Sequence, residues 1–260
     1  MARSRKKAMT KMGKHIILQE IKFKGIDAIV FYCRIDPKSS LADAETHLSE
    51  KEREYYDKRT LWSRERKAGW LASRLAAKTA IVEALRRNML GTKSETIEKG
   101  NKIISSSIDI SSGTSKKPKF QINGSKQGEY KLSMSHSANI GIATVSISDV
   151  GVDIEKKRRV SESLIQKVFS RIELSDLPKT TANSRTPWIH HLKYWCAKEA
   201  VAKATGAGLG QEFIKIRLKY KAANLMHALI DGKPANGREQ RFLVHTKTIK
   251  DAVAALATKA

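Results

Sequence analysis

The chain has 260 residues, of which 40% are hydrophobic, with 15 glycines, 5 prolines and 2 cysteines. This composition excludes collagen-like, mucin-like and disulfide-stapled proteins, and a chain of this length can bury a substantial core. Fifty Lys and Arg residues against 26 Asp and Glu residues give a formal net charge of +24, which predicts anionic partners.

Residues 1–14 contain six Lys and Arg residues and no acid, and no apolar stretch follows them. We interpret this segment as a flexible basic arm rather than a secretory signal, with an organelle-targeting segment as the alternative. No apolar run approaches the ~18 residues of a membrane span, so no membrane partner is expected. Cys33 and Cys196 belong to no metal-binding or redox motif, which favours a reducing compartment, the cytoplasm.

The N-terminal half is predicted to contain a buried strand followed by helices. Residues 26–35 are rich in β-branched and aromatic side chains and end at Asp36-Pro37. Residues 41–88 lack proline and place apolar side chains at helical spacing, which predicts one or two amphipathic helices. Residues 91–113 are polar and suggest loops around a weak strand. Turns are predicted at 116–118 and at 123–124.

The C-terminal half repeats this order of elements. Strands are predicted at 140–147 and 150–154, helices at 161–177 and 188–205, and further strands after residue 210. The recurrence predicts an α+β fold of two related lobes. We place these lobes at residues 15–131 and 132–260.

The strand at 150–155 alternates apolar and acidic residues. Val150, Val152 and Ile154 are expected to face the core, while Asp153 and Glu155 share the opposite face. Two carboxylates on one face can bind one hard cation, and the alternative is an ordinary strand with a solvated acidic edge.

A helical stretch about forty residues later places Trp195, Glu199 and Lys203 on one side, at i, i+4 and i+8. An acid and a base one turn apart can be a simple surface pair, worth only ~0.2 to 0.5 kcal/mol. If Glu199 instead lies against the two strand carboxylates, it completes an oxygen-rich Mg²⁺ site, with Lys203 facing a bound phosphate.

Ser135, His136 and Ser137 precede the strand at 140–147 and can donate hydrogen bonds to a phosphate. A plain turn is the simpler interpretation. A serine hydrolase is not indicated, because no G-x-S-x-G elbow is present and the adjacent Ser135 and His136 side chains do not point at each other.

Three segments together resemble the signature motifs of the 4'-phosphopantetheinyl transferases. They are Val-Gly-Val-Asp-Ile-Glu at 150–155, Phe-Ser-Arg-Ile-Glu at 169–173, and Trp-Cys-Ala-Lys-Glu-Ala at 195–200 with Lys203. The length is similar to that of the surfactin-synthetase-activating type, a monomer of two pseudosymmetric lobes. Residues 72–78 are similar to the family's A-G-R-x-x-x-R helix, and residues 116–118 to its G-K-P. The chain departs from these patterns at Ser73, Lys78, Lys116, Leu132 and Ser133.

The resemblance implies an enzyme that transfers the 4'-phosphopantetheine group of coenzyme A to a serine of an apo carrier protein, releasing 3',5'-ADP. The partner would be an acidic acyl or peptidyl carrier protein of fatty acid, polyketide or nonribosomal peptide biosynthesis. Mg²⁺, or Mn²⁺ in its place, would be held by Asp153, Glu155 and Glu199. Glu155 or Glu199 would accept the serine proton, and Lys203 would neutralise the leaving group.

The resemblance also implies residues that bind coenzyme A. Ser135 and His136 would bind the 3'-phosphoadenosine end, with Arg74, Lys117 and Pro118 around the nucleotide. Lys198 and Lys203 would contact the phosphates.

Two other functions stay open at this stage. The net charge and the basic arm would suit a nucleic-acid binder, although no nucleic-acid-binding motif is present and aromatic residues make up only 6%. A catalytically inactive relative is disfavoured, because all three carboxylates and Lys203 are present. The basic run at 156–159 either borders the carrier-protein site or forms a solvated loop.

Overall fold

The computed structural model describes residues 14–26, 28–87, 105–112, 117–127, 130–178, 188–206, 211–230 and 240–260. Almost all of the predicted basic arm, as well as Lys116 of the predicted turn, lies outside these residues. The chain divides into two compact units. The N-terminal unit comprises residues 1–113 and 118–147, and the C-terminal unit comprises residues 114–117 and 148–260.

Within its described residues, the N-terminal unit has a four-stranded sheet, a three-stranded sheet and three α-helices. Its elements are β1 Ile16–Glu20, β2 Ile29–Ile35, α1 Ala42–Glu45, α2 Glu50–Asp57, α3 Arg64–Arg86, β3 Ile108–Ser112, β4 Pro118–Ile122, β5 Ser125–Lys126, β6 Lys131–Ser137 and β7 Ile140–Ser146. The larger sheet has the antiparallel order β1-β2-β7-β6, and the smaller has the order β3-β4-β5. The long helix α3 packs on β2 and β7 and buries much of the core of this unit.

Two serines divide the predicted helical region at 41–88 into separate helices. Ser49 and Glu52 form a capping box at the start of α2, and the Ser63 side chain accepts a hydrogen bond from the Arg66 backbone N–H at the start of α3. Serine side chains satisfy the unpaired N–H groups of a first helical turn, so each serine begins a new helix.

The described part of the C-terminal unit has one five-stranded antiparallel sheet and three α-helices. Its elements are β8 Val150–Lys156, α4 Glu162–Val168, α5 Arg171–Ser175, α6 Ile189–Thr205, β9 Ile216–Ala222, β10 Leu225–Ile230, β11 Gln240–Ile249 and β12 Ala252–Lys259. The strand order is β8-β12-β11-β10-β9. Helix α6 packs across β8 and β12 and is buried along most of its length. The predicted α+β fold is confirmed.

Several element boundaries differ from the prediction. The single helix expected at 161–177 is two helices, because Ser170 and Glu173 form a capping box that starts α5 after an extended Phe169. Ser135 and His136 lie inside strand β6, with the turn at Ala138 and Asn139, so the prediction of a strand entrance or turn at these residues is wrong.

Strands β6 and β7 follow the expected lobe boundary at 131 and 132, yet they pair within the N-terminal sheet. The division into two related lobes stays a prediction. Within the described residues, no helix is long and apolar enough to cross a membrane.

Candidate active site

The acidic face of β8 is covered by a helix rather than by solvent. Asp153 is only 3% exposed, and Glu155 is half-buried. Gly151, on the same face as these carboxylates, lies so close to α6 that an added Cβ would stand 1.8 Å from the Ala200 carbonyl oxygen. The glycine therefore allows the helix to approach the strand that holds both acids.

Helix α6 presents the three predicted side chains to β8. Lys203 Nζ donates to Asp153 Oδ1 at 2.7 Å, and Trp195 Nε1 donates to Glu155 Oε1 at 3.2 Å. Glu199, between them on the helix, is 6% exposed. Glu199 is buried and Lys203 is paired with Asp153 of β8. These two residues therefore do not form a simple pair on the protein surface.

The electrostatics show that negative charge is concentrated here. Burial, with a further contribution from Asp153 and a smaller one from Glu155, raises the pKa of Glu199 to about 8, although Lys203 opposes the rise. Arg158 Nη2 lies 3.7 Å from Glu155 Oε2 at the exposed rim. Buried carboxylates with raised pKa values indicate a site that favours additional positive charge.

The donor set fits a hard divalent cation. Asp153, Glu155 and Glu199 supply only oxygen ligands, which Mg²⁺ prefers, and leave coordination positions for water or phosphate oxygens. In the described part of the chain, no three His, Cys, Asp or Glu side chains converge closely enough to hold an ion as they stand. The Lys203 ammonium lies 2.7 Å from Asp153 Oδ1 and forms an ion pair with it.

Lys198, the neighbour of Glu199, has a different environment. It is 0% exposed, and its ammonium donates to Glu173 Oε2 at 2.8 Å and to the carbonyl oxygens of Val168 and Phe213 at 2.7 and 2.9 Å. An ammonium has three donors, and all three are used. In this structure Lys198 has no donor for a phosphate, contrary to what the family resemblance implied for it.

Glu173 is the site-supporting residue to which the sequence analysis gave no role. Its carboxylate accepts hydrogen bonds from Lys198, from the Ser170 N–H at 2.9 Å and from the Leu218 N–H at 2.9 Å, so it joins α5, α6 and β9. The Ser-x-x-Glu spacing of a capping box was the available signal. That pattern predicts a helix start, but not a buried ion pair.

The predicted nucleotide-binding residues are distributed over both units. Lys117 belongs to the C-terminal unit, where its ammonium donates to the Ala204 carbonyl oxygen at 2.8 Å and lies 3.7 Å from Asp149 Oδ1. This places a cation at the C-terminal end of α6, where a helix dipole favours positive charge. Pro118 begins β4 in the N-terminal unit.

Arg74, Ser135 and His136 lie in the N-terminal unit. The Arg74 guanidinium stands 4.2 Å from the centre of the Trp70 ring, and its Nε is 3.3 Å from Glu52 Oε1. Ser135 is half-buried on β6, and His136 is exposed beside it. The structure thus groups Asp153, Glu155, Glu199 and Lys203 in one unit and Arg74, Ser135 and His136 in the other.

Comparison with known proteins finds a match for most of the C-terminal unit. Residues 149–257 match the family model described as the 4'-phosphopantetheinyl transferase superfamily. All three candidate metal ligands, Lys198 and Lys203 lie within this match. Arg74, Lys117, Pro118, Ser135 and His136 lie outside it.

Curated relatives agree with this match. The 4'-phosphopantetheinyl transferase Sfp of Bacillus subtilis (strain 168) is 34% identical over 78 residues, which cover 30% of this chain and 34% of that protein. A 4'-phosphopantetheinyl transferase of Bacillus subtilis is 32% identical over 90 residues, which cover 34% of this chain and 39% of that protein. The 4'-phosphopantetheinyl transferase psf-1 of Bacillus pumilus is 31% identical over 80 residues, which cover 31% of this chain and 34% of that protein. The chain spans only about a third of the length of the curated relatives it matches. Over residues 149–257, the chain is similar to the 4'-phosphopantetheinyl transferase superfamily.

Proposed function

We propose that this protein transfers the 4'-phosphopantetheine group of coenzyme A to a serine hydroxyl of an apo carrier protein and releases 3',5'-ADP. The observation that supports this most directly is the meeting of Asp153, Glu155 and Glu199 with Lys203 between β8 and α6. These residues all lie inside the region that matches the family.

In the proposed reaction, the serine oxygen forms a bond to the phosphorus that bears the pantetheine arm. The bond from that phosphorus to the bridging oxygen of the pyrophosphate breaks, and 3',5'-ADP leaves with the electron pair. Phosphoryl transfer of this kind depends mainly on positioning and on positive charge at the transferred group.

Each residue of the site has a task in this scheme. Asp153, Glu155 and Glu199 would hold Mg²⁺, which when bound neutralises and orients the pyrophosphate. Lys203, close enough to reach Asp153, is the lysine that we assign to the phosphates and the departing 3',5'-ADP. Glu155 or Glu199 accepts the serine proton on a carboxylate oxygen, since a hydroxyl needs a base to become nucleophilic near neutral pH.

The nucleotide end of coenzyme A is assigned by family resemblance. We propose that Ser135 and His136 bind the 3'-phosphoadenosine end and that Arg74, Lys117 and Pro118 line the nucleotide. We also propose that the carrier protein is acidic and that the enzyme is a monomer of the cytoplasm. Cys33 and Cys196, both buried and free, suit a reducing compartment.

The test is incubation with coenzyme A, Mg²⁺ and a panel of apo carrier proteins from fatty acid, polyketide and nonribosomal peptide systems. We expect 3',5'-ADP to appear in equal amount to the modified carrier, as measured by chromatography. Tight, salt-sensitive binding to arbitrary duplex DNA, without consumption of coenzyme A in any incubation, would contradict the proposal and favour the nucleic-acid binder.

A further inference from the structure

The turn that joins α2 to α3 displays an ordered group of aromatic and cationic side chains with an exposed leucine. We call this group the α2–α3 surface. Its members are Tyr55, Arg59, Leu61, Trp62 and Arg66. None of them has a task in the proposed transfer reaction.

The two arginines of this surface are held on aromatic rings. Arg59 Cζ lies 4.3 Å from the centre of the Tyr55 ring and 5.9 Å from that of Trp62. Arg66 Cζ lies 4.8 Å from the centre of the Trp62 ring. A guanidinium on an aromatic face has its plane fixed, and its remaining exposed N–H groups can donate to carboxylate or phosphate oxygens. Arg66 is exposed, whereas Arg59 is half-buried and its Nε is buried, so Arg59 can offer only its terminal N–H groups.

The described ion pairs include neither Arg59 nor Arg66. Elsewhere in the same unit, arginines are paired: Arg53 with Glu45, and Arg87 with Glu20. The α2–α3 surface therefore presents cationic groups whose charge is not neutralised by a carboxylate of the described chain.

The most exposed large apolar side chain in the described residues belongs to the same turn. Leu61 is 98% exposed, and Tyr55 is 43% exposed. A single exposed leucine is ordinary in soluble proteins, so Leu61 alone indicates nothing. Together with Tyr, Trp and Arg, the residue types that dominate binding energy in protein interfaces, it has the composition of an interface core.

The α2–α3 surface is also preorganised. The Arg59 N–H donates to the Tyr56 carbonyl oxygen at 2.9 Å, and the Trp62 N–H donates to the Arg59 carbonyl oxygen at 3.2 Å. Trp62 lies 6.2 Å from Trp70 of the buried core, measured between ring centres. Binding to a surface that is already ordered loses less conformational entropy.

We infer that the α2–α3 surface docks an acidic protein surface in which carboxylates surround an apolar recess, and that this partner is the protein acceptor of the phosphopantetheine group. Charge complementarity supports this choice, because two guanidinium groups held on aromatic rings match carboxylates. The exposed Leu61, which lies between them in the sequence, suits an apolar recess, and a nucleotide phosphate offers none. The identity of the partner depends on the proposed function.

The test compares two variants with a matched control. Arg59→Glu/Arg66→Glu reverses both charges, and Leu61→Asp removes the apolar contact. The control Lys24→Glu/Lys126→Glu reverses two exposed charges of the same unit that have no described contact with the α2–α3 surface. Circular dichroism and melting temperatures establish that all variants are folded.

We expect each α2–α3 variant to raise the KM for the carrier protein by at least about tenfold, as for loss of an interface hot spot, with kcat and the KM for coenzyme A within about twofold of wild type. Isothermal titration with a carrier whose acceptor serine is replaced by alanine should show the same loss of affinity. The Lys24→Glu/Lys126→Glu control should match wild type in both assays.

Other outcomes overturn the inference. An unchanged carrier KM in an active enzyme would show that the surface does not dock the acceptor. If the α2–α3 variants raise the KM for coenzyme A instead, the surface binds the nucleotide. If the variants lose binding to anionic vesicles but bind the carrier normally, the surface binds lipid. If wild type modifies no carrier, the proposed function fails, and the titration still decides whether this surface binds the carrier.

Discussion

Lys198 and Lys203 show how two lysines of one helix, five residues apart, acquire different tasks. Lys198 points into the C-terminal core and is saturated by Glu173 and two carbonyl oxygens, while Lys203 reaches Asp153 across the site. Burial lowers the pKa of Lys198, and the charge of Glu173 opposes that effect. Lys198 is therefore a structural cation that holds α5 and α6 together.

Replacing Lys198 by methionine should destabilise the protein rather than weaken coenzyme A binding. The change leaves the Glu173 charge buried without its partner, which typically costs about 3 to 5 kcal/mol. Urea unfolding measures the loss, with Lys193→Met on the same helix as the control. The double variant Glu173→Gln/Lys198→Met should recover part of the stability. A stable Lys198→Met protein with only a raised KM for coenzyme A would restore the phosphate-binding role.

The protonation of Glu199 predicts how stability depends on pH without metal. Its pKa rises from 4.5 to about 8 on folding, so the folded state binds the proton more tightly than the unfolded state. Between those two values the free energy of unfolding falls as the pH rises. In excess EDTA, Glu199→Gln should remove this decline and be more stable than wild type at pH 8.

The measurement is urea unfolding at pH 5.5 and pH 8, with Glu54→Gln, an exposed acid of α2, as the control. If the free energy of unfolding has the same pH dependence in wild type and in Glu199→Gln, then folding does not raise the pKa of Glu199, and the prediction is wrong.

At the level of elements, the distance between β8 and α6 depends on one glycine. The Cβ of an alanine at 151 would lie 1.8 Å from the Ala200 carbonyl oxygen and 2.6 Å from the Ala204 nitrogen. Both are backbone atoms of α6, so the helix itself has to move. The movement would separate Glu199 and Lys203 from Asp153 and Glu155.

Gly151→Ala should therefore reduce transfer by about 100-fold, as expected for a misplacement near 1 Å, and destabilise the fold by about 1 to 3 kcal/mol. Carrier modification and thermal unfolding measure the two effects. Gly25→Ala is the control, because that residue has φ +78 but nothing within 4 Å of an added Cβ. Similar behaviour of the two variants would show that close packing at 151 does not set the site.

Most elements with strong local patterns were predictable. The strands β2, β7 and β8 and the helix α6 were each expected within a few residues of their observed bounds. The break at Phe169 was missed, because apolar spacing continues through it while the Ser170 capping box starts a new helix. Strand β6 was missed because Ser133, Ser135 and Ser137 are poor strand formers, and pairing with β7 fixes their conformation.

The candidate site was predictable to the extent that its residues occupy short local patterns. Strand alternation places Asp153 and Glu155 on one face, and helical spacing places Glu199 and Lys203 on one side of a helix, before any contact is known. Spacing alone left a solvated acidic edge and a surface pair open, and the family resemblance pointed to a metal site instead. The Lys198–Glu173 pair could not be found in this way, because it depends on how residues 25 positions apart pack together.

At the level of the whole molecule, the net charge of +24 is expected to act on the encounter with the carrier protein. Exposed charges are screened beyond about 8 Å at physiological ionic strength, whereas buried charges are screened much less. Raising the salt concentration should lower kcat/KM for the carrier steeply and kcat only slightly. Steady-state kinetics between low and high NaCl tests this, and an equal decline of both parameters would contradict it.

The basic run at 156–159 is a candidate for the charges that attract the carrier protein, but its four residues have different contacts. Lys157 donates to the Lys250 carbonyl oxygen, and Arg158 lies beside Glu155. Lys156→Glu/Arg159→Glu therefore tests the encounter without disturbing those two contacts. We expect this double variant to have a lower kcat/KM for the carrier, and we expect that kcat/KM to depend less on salt concentration than in wild type. A normal kcat/KM with a normal salt dependence would show that residues 156–159 play no part in the encounter.

The most direct test of the account is the intact mass of an apo carrier protein after incubation with coenzyme A and this protein. We expect the mass to increase by one phosphopantetheine group with wild type and Mg²⁺. In excess EDTA the mass increase should disappear. With Asp153→Asn or Glu199→Gln, the rate of carrier modification should fall by about 100-fold or more if the carboxylates act as metal ligands and positioning groups. An unchanged rate in either folded variant, or in EDTA, would contradict the account.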